Sequence, residues 1–193
     1  MTVTLPGVTT ILGAIPKQSA FVGGALKKAY AALEKNRDLT YEDMRASWYK
    51  DTTARDLGST MHGLYERFLL GDQWQISDLP IEQRGHAAAF IKWVAEYEPV
   101  VIQTEATVAN LAYGYAGTGD LWATIGGVKT LVDFKTGYVD LFSCATQLTA
   151  YAYGDFTLAD DGSWNDIVEV EQIAVLGTKD DGKFVYKILD QDM

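Results

Sequence analysis

Gly117-Thr118-Gly119-Asp120-Leu121-Trp122 and, a short gap later, Leu131-Val132-Asp133-Phe134-Lys135-Thr136-Gly137 decide how this chain is read. Asp120 and Asp133 each sit in an apolar run. The runs 119–125 and 128–134 read as β-strands, and Gly126-Gly127 between them is a strong signal for a tight hairpin. A carboxylate inside an apolar strand is costly unless something compensates its charge. A divalent cation held between the two acids does that. Asp133 and Lys135 flank Phe134, so in a strand they share one face. Lys135 therefore lies within reach of whatever such a cation holds.

The rest of the composition narrows the class. With 193 residues, 48% hydrophobic and 12% aromatic, the chain can bury a core, and a single domain over 1–193 is expected. No apolar run approaches the length of a membrane span, and the N-terminus lacks the basic and apolar regions of a secretion signal. Cys144 is the single cysteine, which excludes an internal disulfide and a cysteine-held zinc or iron–sulfur site within one chain. A reducing, cytoplasmic compartment is expected, with no membrane partner. The net charge of −10 argues against a general nucleic-acid binder. That charge is unevenly placed. Residues 1–100 carry 11 basic and 12 acidic side chains, and residues 101–193 carry 5 and 14. Any basic surface falls in the first half, around Lys17, Lys27, Lys28, Lys35, Arg37, Arg45, Lys50 and Arg55.

Along the chain, a short apolar start at 7–15 breaks at Pro16. Helices are expected over 19–36, over 40–70 with a break near Asp51–Thr53, and over 80–97 between Pro80 and Pro99. Leu57, Met61, Leu64, Tyr65 and Phe68 recur at helical spacing. The period then changes. Strands are expected at 100–109, 119–125 and 128–134, a helix at 141–158, and a last hairpin of 167–177 and 183–189 turning at Asp180-Asp181-Gly182. The order is helices over 1–98, then β-β-β-α-β-β over 99–193: an α/β chain with an N-terminal helical region.

Each candidate residue has a chemical and a plain reading. Asp120 follows two glycines, which permit close approach of a ligand, but it also suits a turn. Asp133 and Lys135 form either an ion pair or half of a metal site; the second acid on the neighbouring strand favours the site, because converging carboxylates repel without a cation. Oxygen ligands of this kind suit Mg²⁺ or Mn²⁺. Lys135 then orients or deprotonates a water, or stabilises charge on a phosphate. Two acids with a strand-borne Asp-x-Lys form the layout of metal-dependent phosphodiester cleavage. Glu105, on the preceding strand, completes the acid cluster or is a solvated strand residue. Gln147 and Tyr151 lie four apart on one helix face, where they contact phosphate or base, or serve as ordinary helix polarity and core. His62 is a ligand or a structural histidine; Gly58 and Gly63 beside it suggest close approach of another group. His86 reads as structural. Trp48, Tyr49 and Trp122 suit base stacking or the core.

Taken in order, Gly58-Ser59-Thr60-Met61-His62, Gly117-Thr118-Gly119-Asp120, Asp133-Phe134-Lys135 and Gln147-Leu148-Thr149-Ala150-Tyr151 resemble the motifs of the PD-(D/E)xK nuclease superfamily, in its RecB-type and phage-exonuclease-like branch. Val8-Thr9-Thr10-Ile11-Leu12 and Arg55-Asp56-Leu57 add to the likeness, which spans roughly residues 8–177. The resemblance implies a three-layer, restriction-endonuclease-like α/β fold with a central mixed sheet. It implies His62, Asp120, Asp133 and the Phe134 carbonyl as metal ligands, Lys135 as the catalytic lysine, and Glu105 as a further acid. Gln147 and Tyr151 would position DNA or the lysine. The chain departs from some relatives in lacking iron–sulfur cysteines and any helicase domain, and it is unusually acidic.

Two functions follow as expectations. The first is a Mg²⁺- or Mn²⁺-dependent DNA exonuclease acting on ends in phage replication, recombination or repair, with a structure-specific endonuclease as a close variant. A homo-oligomer that concentrates basic surface, and recombination or replication partner proteins, accompany this reading. The second is a catalytically silent module that binds DNA ends or a protein.

Overall fold

The computed structural model describes residues 5–12, 40, 53–158 and 163–189. The helix expected over 19–36, most of the 40–52 segment, the basic residues from Lys17 to Lys50, Trp48 and Tyr49 lie outside the described residues.

The described elements are α1 (Val8–Leu12), α2 (Thr53–Leu69), a single 3₁₀ turn (Ile76–Asp78), α3 (Ile81–Tyr97), β1 (Val100–Asn110), β2 (Tyr115–Ile125), β3 (Val128–Lys135), α4 (Leu141–Ala152), β4 (Phe156–Leu158), β5 (Trp164–Asp166), β6 (Gln172–Thr178) and β7 (Phe184–Leu189). The strands form one seven-stranded sheet in the order β5-β4-β1-β2-β3-β6-β7. Every neighbouring pair is antiparallel except β3 and β6, which run parallel on either side of α4, so the sheet is mixed.

Alternation along the strands divides the core into two layers. Leu121, Ala123, Val132, Phe134, Ala174 and Leu176 point to the side covered by α2 and α3. Trp122, Leu131, Ile173 and Val175 point to the other side, with Val8 of α1 and Cys144, Leu148 and Tyr151 of α4. Helices therefore cover both faces of the sheet. The α2–α3 side is aromatic: Tyr65 stacks on Phe90 at 4.0 Å between ring centroids and meets Phe134 edge-on at 5.5 Å. Burying each such ring contributes about 1.5–3 kcal/mol.

Local chemistry sets the boundaries. Pro80 precedes the first turn of α3, and Glu98 ends it in the left-handed region (φ 44°), its N–H reaching the Val94 carbonyl just before Pro99. Gly126 and Gly127 both take positive φ, which fits a two-residue hairpin turn that matches strand twist. Asp140 caps α4 by accepting the Ser143 N–H.

Several boundaries differ from expectation. The helix expected over 141–158 stops at Ala152. A Cβ at Gly154 would lie 2.1 Å from Val108, so the chain passes hard against β1 there. Asp155 then binds β1: its N–H donates to the Ala109 carbonyl, and its carboxylate accepts from Leu111 N–H and Asn110. Phe156–Leu158 and Trp164–Asp166 are consequently two short strands added outside β1, so the observed order is β-β-β-α-β-β-β-β. The strand expected at 167–177 begins only at Gln172, and the one expected at 119–125 begins at Tyr115. No helix among the described residues is long and apolar enough to cross a membrane.

Candidate metal centre

The two hairpin registers bring three acids into one row. In β2 and β3 the pairing Ile125↔Val128 to Leu121↔Val132, carried one step further, sets Asp120 opposite Asp133. In β1 and β2 the pairs Thr104↔Leu121 and Ala106↔Gly119 set Glu105 opposite Asp120. Glu105, Asp120 and Asp133 thus lie across three adjacent strands, and like charges directly opposite are destabilising. Regular pairing gives way at both steps. Glu105 is one of the described non-glycine residues with positive φ (44°), a conformation costing about 1–3 kcal/mol that persists where the surroundings enforce it. Asp120 turns its Oδ2 to accept the Phe134 N–H at 2.6 Å, a short charge-assisted bond.

His62 comes from α2, whose side chains pack on the opposite layer, and reaches the end of the row. Its Nδ1 lies 3.4 Å from Asp120 Oδ1, and its ring meets Phe134 edge-on at 5.9 Å. Met61 and Tyr65 on the same helix are fully buried, which fixes the helix rotation that presents His62. One donor atom each from His62, Glu105 and Asp120 all fall within 4.8 Å of one another. An imidazole nitrogen with two carboxylates at that spacing fits a small divalent cation, Mn²⁺ in particular because it accepts both donor types.

The electrostatics agree with that fit. Burial and the neighbouring Asp120 charge push the Glu105 carboxyl up to about 7, against a smaller opposing effect of His62. Burial pulls the His62 imidazole down, but the hydrogen bond and charge of Asp120 outweigh it, so its proton is held more tightly than usual. Among the described residues no lysine or arginine is ion-paired to this group, and the protons held on Glu105 and His62 offset its negative charge.

Asp133 lies outside this group of three. Its Oδ2 is 2.5 Å from Lys135 Nζ, and its Oδ1 accepts from Gln147 Nε2 at 3.2 Å. Gln147 also donates to the Tyr151 hydroxyl at 3.3 Å. Asp133 is almost fully buried and Lys135 about one-third exposed, at 3% and 31% of the side chain. Burial pushes the Asp133 carboxyl up, while the Asp133 charge overcomes burial to hold the Lys135 ammonium protonated. Here the positive charge is supplied by the protein itself. Cys144 packs against the same carboxylate, and burial followed by that charge pushes its thiol up to about 12, so it stays an unreactive core residue.

The expected site residues are therefore divided between two adjoining clusters. His62, Glu105 and Asp120 form one; Asp133, Lys135, Gln147 and Tyr151 form the other. Of the ligands implied by resemblance, Asp133 is engaged with Lys135 and Gln147, and the Phe134 N–H donates to Asp120. The glycines before Asp120 act differently from the ligand approach expected of them. A Cβ at Gly117 would lie 2.5 Å from the Tyr151 ring and one at Gly119 would lie 2.3 Å from Trp122. They make room for two buried aromatic rings. Trp122 is fully buried and belongs to the core. Gly58 faces Thr136 at 3.4 Å, whereas no described residue comes within 4 Å of a Cβ at Gly63.

Residues that the sequence did not mark also reach the site. Glu66, one turn after His62, accepts a hydrogen bond from Thr104 beside Glu105. Thr178, at the end of β6, donates to the Lys135 carbonyl. The i, i+4 spacing of His62 and Glu66 was a usable signal for the first; nothing local marks the second. No protein-family model matches this chain, and no curated protein matches it.

Proposed function

We propose that this chain is a divalent-metal-dependent DNA nuclease of the PD-(D/E)xK type, acting from DNA ends. The observation that carries the proposal is the acidic row Glu105–Asp120–Asp133, with His62 beside Glu105 and Asp120 and Lys135 beside Asp133. The mixed sheet with helices on both faces is compatible with the restriction-endonuclease-like fold that this reading requires.

His62, Glu105 and Asp120 would hold Mg²⁺ or Mn²⁺. A cation bound there supplies Lewis-acid polarisation of a phosphate oxygen and an acidified water. The chain's own groups do the rest. Asp133 keeps Lys135 protonated and aimed along the row, so the ammonium can donate to charge developing on a phosphate oxygen. Gln147 holds Asp133 from the other side and donates to the buried Tyr151 hydroxyl, so the pair would position the lysine. Burial around Asp133 excludes water and strengthens these interactions. The expected setting is phage replication, recombination or repair.

A catalytically silent binding module is the second reading, and the charge favours it: residues 101–193 carry 5 basic against 14 acidic side chains. End-labelled linear and covalently closed circular DNA, incubated with Mg²⁺ or Mn²⁺, separate the possibilities. Loss of linear DNA alone, abolished by Lys135→Ala, is the expected result. Cutting of circles moves the assignment to an endonuclease. No cleavage of either, or equal cleavage by Lys135→Ala, leaves the binding module.

A further inference from the structure

We propose that Thr178 is a positioning residue for Lys135: its buried hydroxyl clamps the Lys135 carbonyl to α2 and α3 through Tyr65 and His86. The inference rests on the nuclease reading for its catalytic consequence, though the clamp itself does not.

Thr178 ends β6 beside the end of β3, where Lys135 is in register with Gly177. It is 1% exposed. Three groups from three other elements surround its Oγ1: the Lys135 carbonyl at 3.3 Å, the Tyr65 hydroxyl at 2.9 Å and His86 Nδ1 at 3.1 Å. A hydroxyl has one proton and two lone pairs. A carbonyl only accepts, so the proton goes to Lys135. Its lone pairs then accept from the His86 Nδ1–H and from the Tyr65 O–H, whose oxygen also lies 3.4 Å from the His86 carbonyl. In this arrangement His86 carries a proton on Nδ1.

The placement of the partners gives the clamp its effect. Lys135 is the last residue of β3, so the direction of its backbone there sets where its side chain leaves the strand. Its side chain meets Asp133 on the α4 side, while its carbonyl is tied through Thr178 toward α2 and α3. Tyr65 cannot swing aside, because its ring is stacked on Phe90 and edge-on to Phe134. Tyr65 is also one turn from His62, so one hydroxyl couples the helix carrying His62 to the strand carrying Lys135. A lysine displaced by a fraction of an ångström loses its aim without losing its charge. Such misplacement lowers the rate of the chemical step rather than substrate binding.

The test compares Thr178→Val, which keeps shape and deletes the hydroxyl, with Thr178→Ser, which keeps the hydroxyl. Tyr65→Phe, which removes one donor, serves as the second variant should Thr178→Val not fold. Two readouts are taken: the carbonyl ¹³C resonance of Lys135 and the steady-state kinetics of linear-DNA cleavage with Mn²⁺. The expected result is a moved Lys135 carbonyl resonance and a kcat lowered roughly 10- to 100-fold in Thr178→Val. KM for DNA and Mn²⁺ affinity stay within about twofold, and Thr178→Ser restores both readouts. Tyr65→Phe should move the same resonance in the same direction by less. An unmoved resonance in the folded variants overturns the clamp. A moved resonance with unchanged kcat, or equal losses in Thr178→Val and Thr178→Ser, overturns the positioning role. If the native protein cleaves no DNA, the nuclease reading fails and the resonance alone decides the clamp.

Discussion

The two polar clusters across β1, β2 and β3 are built from the same material and solve the same problem differently. Both place carboxylates in apolar strands. Around Asp133 the compensating charge is internal: Lys135 is ion-paired to it and Gln147 holds the other oxygen. Around Glu105 and Asp120 no lysine is ion-paired among the described residues; His62 is the basic partner there, and Glu105 holds its proton up to about 7. Among the described residues one cluster carries its own ammonium and the other does not. Under the proposed function, that difference gives the second cluster the cation and the first the chemistry on what the cation holds.

The sharpest way to break this division is to remove one member of each cluster. Lys135→Ala should lower cleavage of linear DNA by about 10²–10⁴-fold while leaving Mn²⁺ affinity nearly unchanged. Asp120→Asn should abolish cleavage and Mn²⁺ binding together. If Lys135→Ala loses metal as well, the clusters act as one and the division is wrong.

A second test concerns the glycines that allow the clusters to adjoin. Gly119→Ala drives a methyl into Trp122, which is fully buried, and should destabilise the protein by about 1–3 kcal/mol in urea unfolding. Gly117→Ala pushes on the Tyr151 ring instead, so it should also lower activity. Equal stability of both variants with the native protein would remove the packing account of the Gly-x-Gly-Asp motif.

The pH dependence follows from directions alone. Both Glu105 and His62 hold protons more tightly in the folded protein than ordinarily. The native state therefore binds more protons than the unfolded state; metal-free stability from Glu105 falls as pH rises from about 4.5 through about 7, and that from His62 falls as pH rises past the ordinary imidazole range. A cation must displace the same protons, so its affinity rises over that window and levels off above it. Thermal midpoints at about pH 5 and about pH 8, with and without Mn²⁺, check both signs: the metal-induced rise should be larger at the higher pH. Glu105→Gln should flatten the dependence. The smallest effect expected is that of Gln147→Ala, about 0.5–1.5 kcal/mol of stability and a few-fold in rate, since Asp133 keeps Lys135.

Much of this site was legible in the sequence, and the reason is register. A two-residue turn at Gly126-Gly127 aligns Ile125 with Val128, and counting back along both strands puts Asp120 opposite Asp133. Helical spacing likewise marked the buried face of α2, and Pro80 and Pro99 bounded α3. What the sequence hid depends on contacts between distant segments. Glycine at 154 looked like a tolerable helix residue until Val108 filled the space beside it, and the two short strands after it owe their place to Asp155 binding β1. Glu105 was a candidate from its strand position, but its left-handed backbone breaks the alternation that a strand pattern assumes, so the direction of its side chain was not readable by counting. The roles of Tyr65, His86 and Thr178 emerge only where three elements meet one hydroxyl.

Calorimetric titration of Mn²⁺ into the native protein, Glu105→Gln and Asp120→Asn at about pH 8 tests the central claim most directly. The account predicts saturable binding to the native protein and an affinity lowered at least about tenfold in each variant. No binding to the native protein, or binding that both substitutions leave intact, would contradict it.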